Sequence, residues 1–194
     1  MKKEATILDN VCVSERGVDC DTLRNVIILA IEIAREGREG RKVGTLFVVG
    51  DHERVMSMSK SLILDPLIHH PENIKHVQNS DMRETIKELS LLDGAFIVSN
   101  SGVVLSACRY LNASSKGLNV PLGLGSRHLA AASITNKTDS VAVAVSESAI
   151  VRVFDDGEIV SEIIPELWLL SRFSSHIATP FQEESEDQVT VRSK

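Results

Sequence analysis

The sequence predicts a mixed α/β (α+β) protein, with a central, mainly hairpin-containing sheet flanked by helices. Three observations lead there. Val26, Ile27, Ala30, Ile31 and Ala34 recur at helical spacing ahead of Thr45 to Val49, a short apolar run bounded by glycines. Two later stretches place turn residues between paired apolar runs, as hairpins do. An alanine-rich segment with helical character precedes the apolar run Val141 to Val145. Helices alternating with strands early, and hairpins later, belong to a sheet covered by helices. With 194 residues and 43% hydrophobic content, the chain can fill one sizeable core, or one domain plus a small lobe.

Residues 1–20 mix charge with scattered valines and read as an irregular or strand-like lead-in. Asp21-Thr22 is the expected cap of the first helix, which Gly37 and Gly40 end. Thr45 to Val49 is then a buried strand, and His52 to Lys60 a short helix. Pro66 and Pro71 forbid a long regular element, so Leu62 to Val77 is an irregular connector. Its three histidines, His69, His70 and His76, lack Cys or Asp partners at ligand spacing and read as a surface loop rather than a metal site. Asp81 is expected to cap a helix from Met82 to Leu91, whose stripe of Ile86, Leu89 and Leu92 faces a core.

Ala95 to Val98, the turn Asn100-Ser101-Gly102 and Val103 to Cys108 describe a hairpin, followed by a polar excursion from Arg109 to Asn119. A helix from Arg127 to Ile134, ending near Asn136 and Lys137, leads to a buried strand over Ser140 to Ser146. Ile150 to Phe154, Asp155-Asp156-Gly157 and Glu158 to Ile163 form a second hairpin. A last helix from Pro165 to Phe173 carries Trp168 as a packing anchor, and from Gln182 the chain reads as a frayed tail. The expected organisation is an N-terminal α/β portion or small lobe, 1–80, packed on a second region, 81–180, with a disordered tail at 182–194.

A net charge of −6 without a Lys/Arg stripe argues against a general nucleic-acid surface, though a nucleotide needs only a local basic patch. Cys12, Cys20 and Cys108 show no C-x-x-C spacing, so neither a disulfide framework nor a structural zinc site is expected. No apolar run approaches the roughly 18 to 20 residues of a membrane span. A cytoplasmic protein without a membrane partner is the expectation.

One stretch concentrates the chemistry: Pro121 to Ala132, where a glycine-broken loop delivers Ser126, Arg127 and His128 to a helix start. Gly123 and Gly125 permit a tight turn and close approach of a ligand, while free amides at the helix start favour an anion. Ser126 is placed to cap the helix and Arg127 to grip phosphate oxygens with two parallel donors. Asp93 stands beside Gly94 just before a strand, where an Asp-Gly pair also makes an ordinary turn. Glu147 follows the C-terminal end of an apolar strand, a usual place for ligands in open α/β sheets and also for solvated acids. Carboxylates combined with an Arg/His phosphate grip meet the requirements of metal-assisted nucleotidyl transfer, which needs no covalent nucleophile. Ser99, Ser101 and Cys108 lack a G-x-S-x-G elbow.

Asp93-Gly94-Ala95 with Phe96 to Gly102, Tyr110-Leu111, Gly123 to Ala131, Thr138-Asp139 and Val145-Ser146-Glu147 resembles the diadenylate cyclase domain in both motif identity and order, over residues 81–163. The first 80 residues are similar, more loosely, to the soluble archaeal branch of that family. The resemblance implies condensation of two ATP into cyclic di-AMP with Mg²⁺ or Mn²⁺. It implies that Asp93 binds the metal and activates the ribose 3′-hydroxyl, and that Gly94, with Ala95 beside it, leaves room for the nucleotide. Tyr110 and Leu111 match positions near the adenine. Gly123, Gly125, Ser126, Arg127 and His128 match the triphosphate loop, and Ser146 with Glu147 the acidic strand end that completes the metal or phosphate site. Two protomers would face one another, each holding one ATP, as a homodimer or higher homo-oligomer, and their proximity supplies much of the catalysis.

Three positions depart from the common bacterial pattern. Leu129 replaces a second Arg after Arg-His, leaving Lys116, Arg109 and Arg152 as candidate substitutes; the archaeal branch tolerates a non-Arg residue there. Leu92 stands where some members carry a histidine, and Ser148 where a second carboxylate is found. The alternative reading is a catalytically silent module that binds ATP or cyclic di-AMP. Against it stands Asp93, since a pure binder has no need of a carboxylate beside a polyphosphate. A transferase with a separate acceptor would need an acceptor site that the sequence does not display.

Overall fold

The computed structural model describes residues 17–114, 118 and 123–165. Cys12, Lys116, Pro121, the expected Trp168 helix and the tail from Gln182 lie outside the described residues. Among the described residues, seven strands form one mixed sheet in the order β2-β4-β3-β1-β5-β6-β7. They are β1 (Thr45–Val49), β2 (Ser59–Ser61), β3 (Ala95–Val98), β4 (Val104–Leu111), β5 (Val141–Val145), β6 (Val151–Asp155) and β7 (Glu158–Ile163). The helices are α1 (Cys20–Glu36), α2 (His52–Ser57), α3 (Ser80–Leu89) and α4 (Ser126–Lys137), with a 3-10 turn at Glu72–Ile74. The α/β class and both hairpins are as the sequence predicts.

Strand β1 lies at the centre. It pairs parallel with β3 and antiparallel with β5, so the start of β1, the start of β3 and the end of β5 meet at one edge of the sheet. β4 runs antiparallel to β3, which brings Arg109 to Leu111 to that same edge. All the other pairings are antiparallel.

Alternation along the strands decides which helix covers which face. Phe47 and Val49 of β1, with Val141, Val143 and Val145 of β5, share a core with α1 and with Met82 and Ile86 of α3. Leu46 and Val48, with Ala142 and Ala144, face Ala131, Ala132 and Ile134 of α4. The Val-Ala-Val-Ala-Val pattern of β5 therefore presents methyl groups to α4, which itself presents alanines, and small residues on both surfaces allow the helix to lie close over the site edge. Phe47 and Phe96 stack on the α1 side with centroids 5.1 Å apart.

Several local expectations are corrected. The α1 cap is Asp19, whose side chain accepts from Thr22 N, and the α3 cap is Asn79, which accepts from Asp81 N and Met82 N. Gly37 does end α1, at φ 62°. Ser126 is the first residue of α4 rather than its cap; Gly125 occupies the cap position in extended backbone. The helix expected over His52 to Lys60 stops at Ser57, and Ser59–Ser61 instead forms an edge strand on β4. Arg109, Tyr110 and Leu111 continue β4 rather than beginning a loop.

That edge is held by Arg109, buried at 9% exposure. Its guanidinium donates to Ser59 Oγ, Ser61 Oγ and the carbonyls of Met56 and Ser59 at 2.9 to 3.3 Å. A buried cation is tolerable when its donors are satisfied in this way. No helix among the described residues is long and apolar enough to cross a membrane.

Candidate nucleotide site

A cavity of about 510 Å³ opens at the site edge, lined by Leu46, Leu62, Asp93, Gly94, Ala95, Arg109, Tyr110, Leu111, Ala113, Ser126, Arg127, Leu129 and Ala130. One part of its wall is apolar, made by Leu46, Leu62, Leu111, Leu129, Ala130 and the Tyr110 ring. The other carries Asp93, Ser126 and Arg127. A cavity of about 300 to 1,000 Å³ with an apolar lining and a few convergent polar groups is the usual form of a small-molecule site.

The charged end is built around Arg127. Its Nη2 lies 3.5 Å from Asp93 Oδ1, and its Nη1 3.3 Å from Glu147 Oε1. One guanidinium thus bridges two carboxylates that enter from different strands, one before β3 and the other after β5. Both carboxylates are open to solvent, at 89% and 72% side-chain exposure, whereas Arg127 is at 33%. The pairs are therefore screened and easily exchanged for another partner.

The same arrangement tests the fit of a divalent ion. Two carboxylates that already share one cation offer hard oxygen ligands suited to Mg²⁺ or Mn²⁺. Among the described residues no group of three or more His, Cys, Asp or Glu side chains could hold a metal. Water and phosphate oxygens would complete the shell, as is usual for magnesium.

Not every sequence candidate reaches the cavity. His128 is 6% exposed and turns to the sheet, with Nε2 3.2 Å from Arg152 Nη1 and its ring 6.0 Å from that of Phe154. Burial, then the charges of Arg152 and Arg127, push its pKa down to about 4 against an opposing effect of Glu162. At neutral pH the ring is uncharged, and its Nε2 accepts from Arg152, since a guanidinium only donates.

Ser146 closes the β5–β6 turn: its Oγ accepts from Ile150 N at 3.1 Å and pairs with Ser148 Oγ at 2.8 Å. Gly123 sits at φ 93° in the exposed loop; neither it nor Gly125 lines the cavity. Of the candidate substitute cations, Arg109 is engaged at the sheet edge, and Arg152 pairs with Glu162 at 2.8 Å as well as meeting His128. Leu129, read as a lost cation, lies in the cavity wall.

Gly94 has a further reason to be glycine. At φ 108°, a methyl carbon there would lie 2.6 Å from Cys108 C and 2.7 Å from Arg109 N, so the space it leaves admits the β4 backbone. β4 bulges opposite this point, with Cys108 at φ 54°, and the bulge sets the direction in which Tyr110 and Leu111 leave for the cavity. Cys108 itself is buried, and burial followed by the charge of Asp65 pushes its thiol pKa up, the opposite of an activated nucleophile.

Leu46 and Leu62 line the cavity without a distinct signal in the sequence. Leu46 was visible only as one residue of a buried strand, and Leu62 only as part of a connector.

An α/β sheet with a cavity that is apolar at one side and carries a guanidinium paired with carboxylates at the other defines a protein built to take a small ligand with an apolar body and an anionic group. Comparison makes this particular. Residues 32–159 match the family described as DAC, DisA bacterial checkpoint controller nucleotide-binding, and the chain belongs to that family. A diadenylate cyclase from Methanocaldococcus jannaschii is 54% identical over 145 residues, covering 74% of this chain and 46% of that protein. A diadenylate cyclase from Haloferax volcanii is 42% identical over 153 residues, covering 77% of this chain and 55% of that protein. The chain thus spans about half the length of these curated relatives.

The fold recurs in a Bacillus cereus structure described as a hypothetical membrane spanning protein, with TM-score 0.54 and 21% identity over 72% of this chain and 62% of that one. It recurs also in a double mutant of DacA from Staphylococcus aureus, with TM-score 0.50 and 20% identity over 78% of this chain and 94% of that one.

Proposed function

We propose that the protein is a diadenylate cyclase that condenses two ATP into cyclic di-AMP and releases two pyrophosphates. The observation that carries this reading is the Arg127 guanidinium, which lies with Asp93 on the polar side of a cavity whose other side suits a purine and also pairs with Glu147. The naming of two archaeal relatives as diadenylate cyclases supports it.

Each cavity has the volume for one nucleotide. The adenine packs against Leu46, Leu62, Tyr110 and Leu129, and the triphosphate lies toward Ser126 and Arg127 at the start of α4. Arg127 exchanges its carboxylate partners for phosphate oxygens, and the amides of the first helical turn add donors. This exchange frees Asp93 and Glu147 to hold Mg²⁺ or Mn²⁺. When bound, the metal supplies neutralisation of phosphate charge and a lowered pKa for the attacking hydroxyl.

Asp93 orients the ribose 3′-hydroxyl and accepts its hydrogen. The 3′-oxygen forms a bond to the α-phosphorus of the other ATP, the bond from that phosphorus to the β-bridging oxygen breaks, and pyrophosphate leaves with the electron pair. A single cavity holds only one of the two reactants, so two protomers face each other and each supplies one ATP. Orientation provides much of the acceleration.

The test is incubation of the pure protein with ATP and either Mn²⁺ or Mg²⁺, with product identified by mass spectrometry. Cyclic di-AMP is the expected product, and Asp93→Asn should abolish it while ATP binding and folding persist. ATP binding without product under either metal would refute the cyclase reading and favour a silent binding or sensing module.

A further inference from the structure

We propose that Gly44, which touches no substrate itself, is a positioning residue that determines where the Arg127 guanidinium rests. This rests on the assignment of Arg127 to the triphosphate.

Gly44 immediately precedes β1 at the site edge, beside the end of β5. A methyl carbon placed on it would lie 2.6 Å from Arg127 Nη1, 3.0 Å from Arg127 Cζ and 3.2 Å from the Val145 carbonyl oxygen. The missing side chain is therefore the floor on which the guanidinium lies. That floor explains how a single arginine reaches Asp93 with one nitrogen and Glu147 with the other.

Gly44 differs from Gly94 in a way that matters. Its φ lies outside the left-handed region, so the backbone accepts an L-residue, and its closest contact is the flexible end of a side chain rather than main chain. Added volume at Gly44 therefore displaces Arg127, while the carbonyl of Val145 has to give by only a few tenths of an ångström. The chain thus sets the arginine's place from the centre of the sheet, through a residue some 80 positions away in sequence.

The experiment combines a structure with a double-mutant cycle. In a crystal structure of Gly44→Ala the guanidinium should leave its position between Asp93 and Glu147. Affinity for a non-reacting ATP analogue, measured by calorimetry, should fall by about fivefold or more, the loss of a charged contact. In an Arg127→Ala background, the same Gly44→Ala change should alter this affinity less than about twofold, because only the arginine transmits it. An equal loss in both backgrounds, or an unmoved Arg127 in the variant structure, would overturn the proposal.

A Gly44→Ala protein without a cooperative unfolding transition should recover it in the Gly44→Ala/Arg127→Ala double variant; failure to recover would make Gly44 a structural residue and also overturn it. The two readings fail separately. Wild-type protein that yields no cyclic di-AMP refutes the activity, whereas Gly44 is judged on the placement of Arg127 and on the cycle.

Discussion

Removing the Arg127 guanidinium separates binding from stability, because the ligand-free protein uses it only weakly. A charge-assisted contact to phosphate contributes about 1.5 to 3 kcal/mol. Against this stands what Arg127 gives up on binding: its pairs to Asp93 and Glu147 at 3.5 and 3.3 Å, whose carboxylates are mostly solvent-exposed. Exposed pairs of this kind are worth roughly 0 to 1 kcal/mol. The net effect of Arg127→Ala is then about 0.5 to 3 kcal/mol, a rise in the ATP Kd of roughly 2- to 140-fold.

The assay is calorimetric titration with a non-reacting ATP analogue and Mg²⁺, at fixed ionic strength, beside a thermal unfolding curve. The unfolding midpoint should move by only a few degrees. An unchanged Kd would remove Arg127 from the triphosphate site. A collapse in thermal stability would instead make the arginine a structural tie between the β3 and β5 ends.

Two further outcomes follow from burial and backbone geometry. His128 has its pKa lowered from 6.5 to about 4, so the unfolded chain binds the proton more readily; its stabilising contribution is complete above pH 6.5 and is lost as pH falls toward 4. The contribution is on the order of 3 kcal/mol, and the wild-type midpoint should fall more steeply over that window than that of His128→Gln; parallel curves would show that His128 does not titrate there. Gly94→Ala, forced to φ 108° and against the β4 backbone, should destabilise by about 3 kcal/mol or more in chemical denaturation; an unchanged transition would mean that the bulge relaxes freely.

The apolar runs of β1, β3 and β5 were legible because each is buried on both faces and bounded by turn residues. So was the meeting of Asp93 with Arg127, since the two residues carry opposite charges, whereas His128 of the same motif turns away from the cavity. Strand β2 was not legible: Ser59-Lys60-Ser61 has no apolar periodicity, and its extended form is imposed by pairing with β4 and by the Arg109 donors. For the same reason Arg109 itself looked like the start of a loop, although the serine hydroxyls that satisfy it lie about 50 residues earlier.

The caps were displaced by two residues at both α1 and α3, where polar residues lie close together and any of them could accept from the helix amides. In the candidate site, the pairing of Asp93 with Arg127 could be anticipated from motif chemistry. The floor at Gly44 could not, because a glycine before a strand shows what it permits only when the residue lying over it is known. The inward turn of His128 toward β6 is likewise a consequence of helix phase: Ser126, Arg127, Leu129 and Ala130 take the cavity side, and the residue between them takes the other.

The position of β1 between a parallel and an antiparallel neighbour has a consequence for protection from solvent exchange. Amides at the centre of such a ladder exchange only when the whole domain opens, whereas loops open locally. Gly44, Gly94 and Ser146 are each one residue from this ladder, through β1, β3 and β5. The framework of the charged site is therefore anchored to the slowest-exchanging part of the fold, although its carboxylates are exposed. Local opening of the connectors can alter the apolar wall at Leu62 without changing the spacing between the strand ends that carry Asp93 and Glu147.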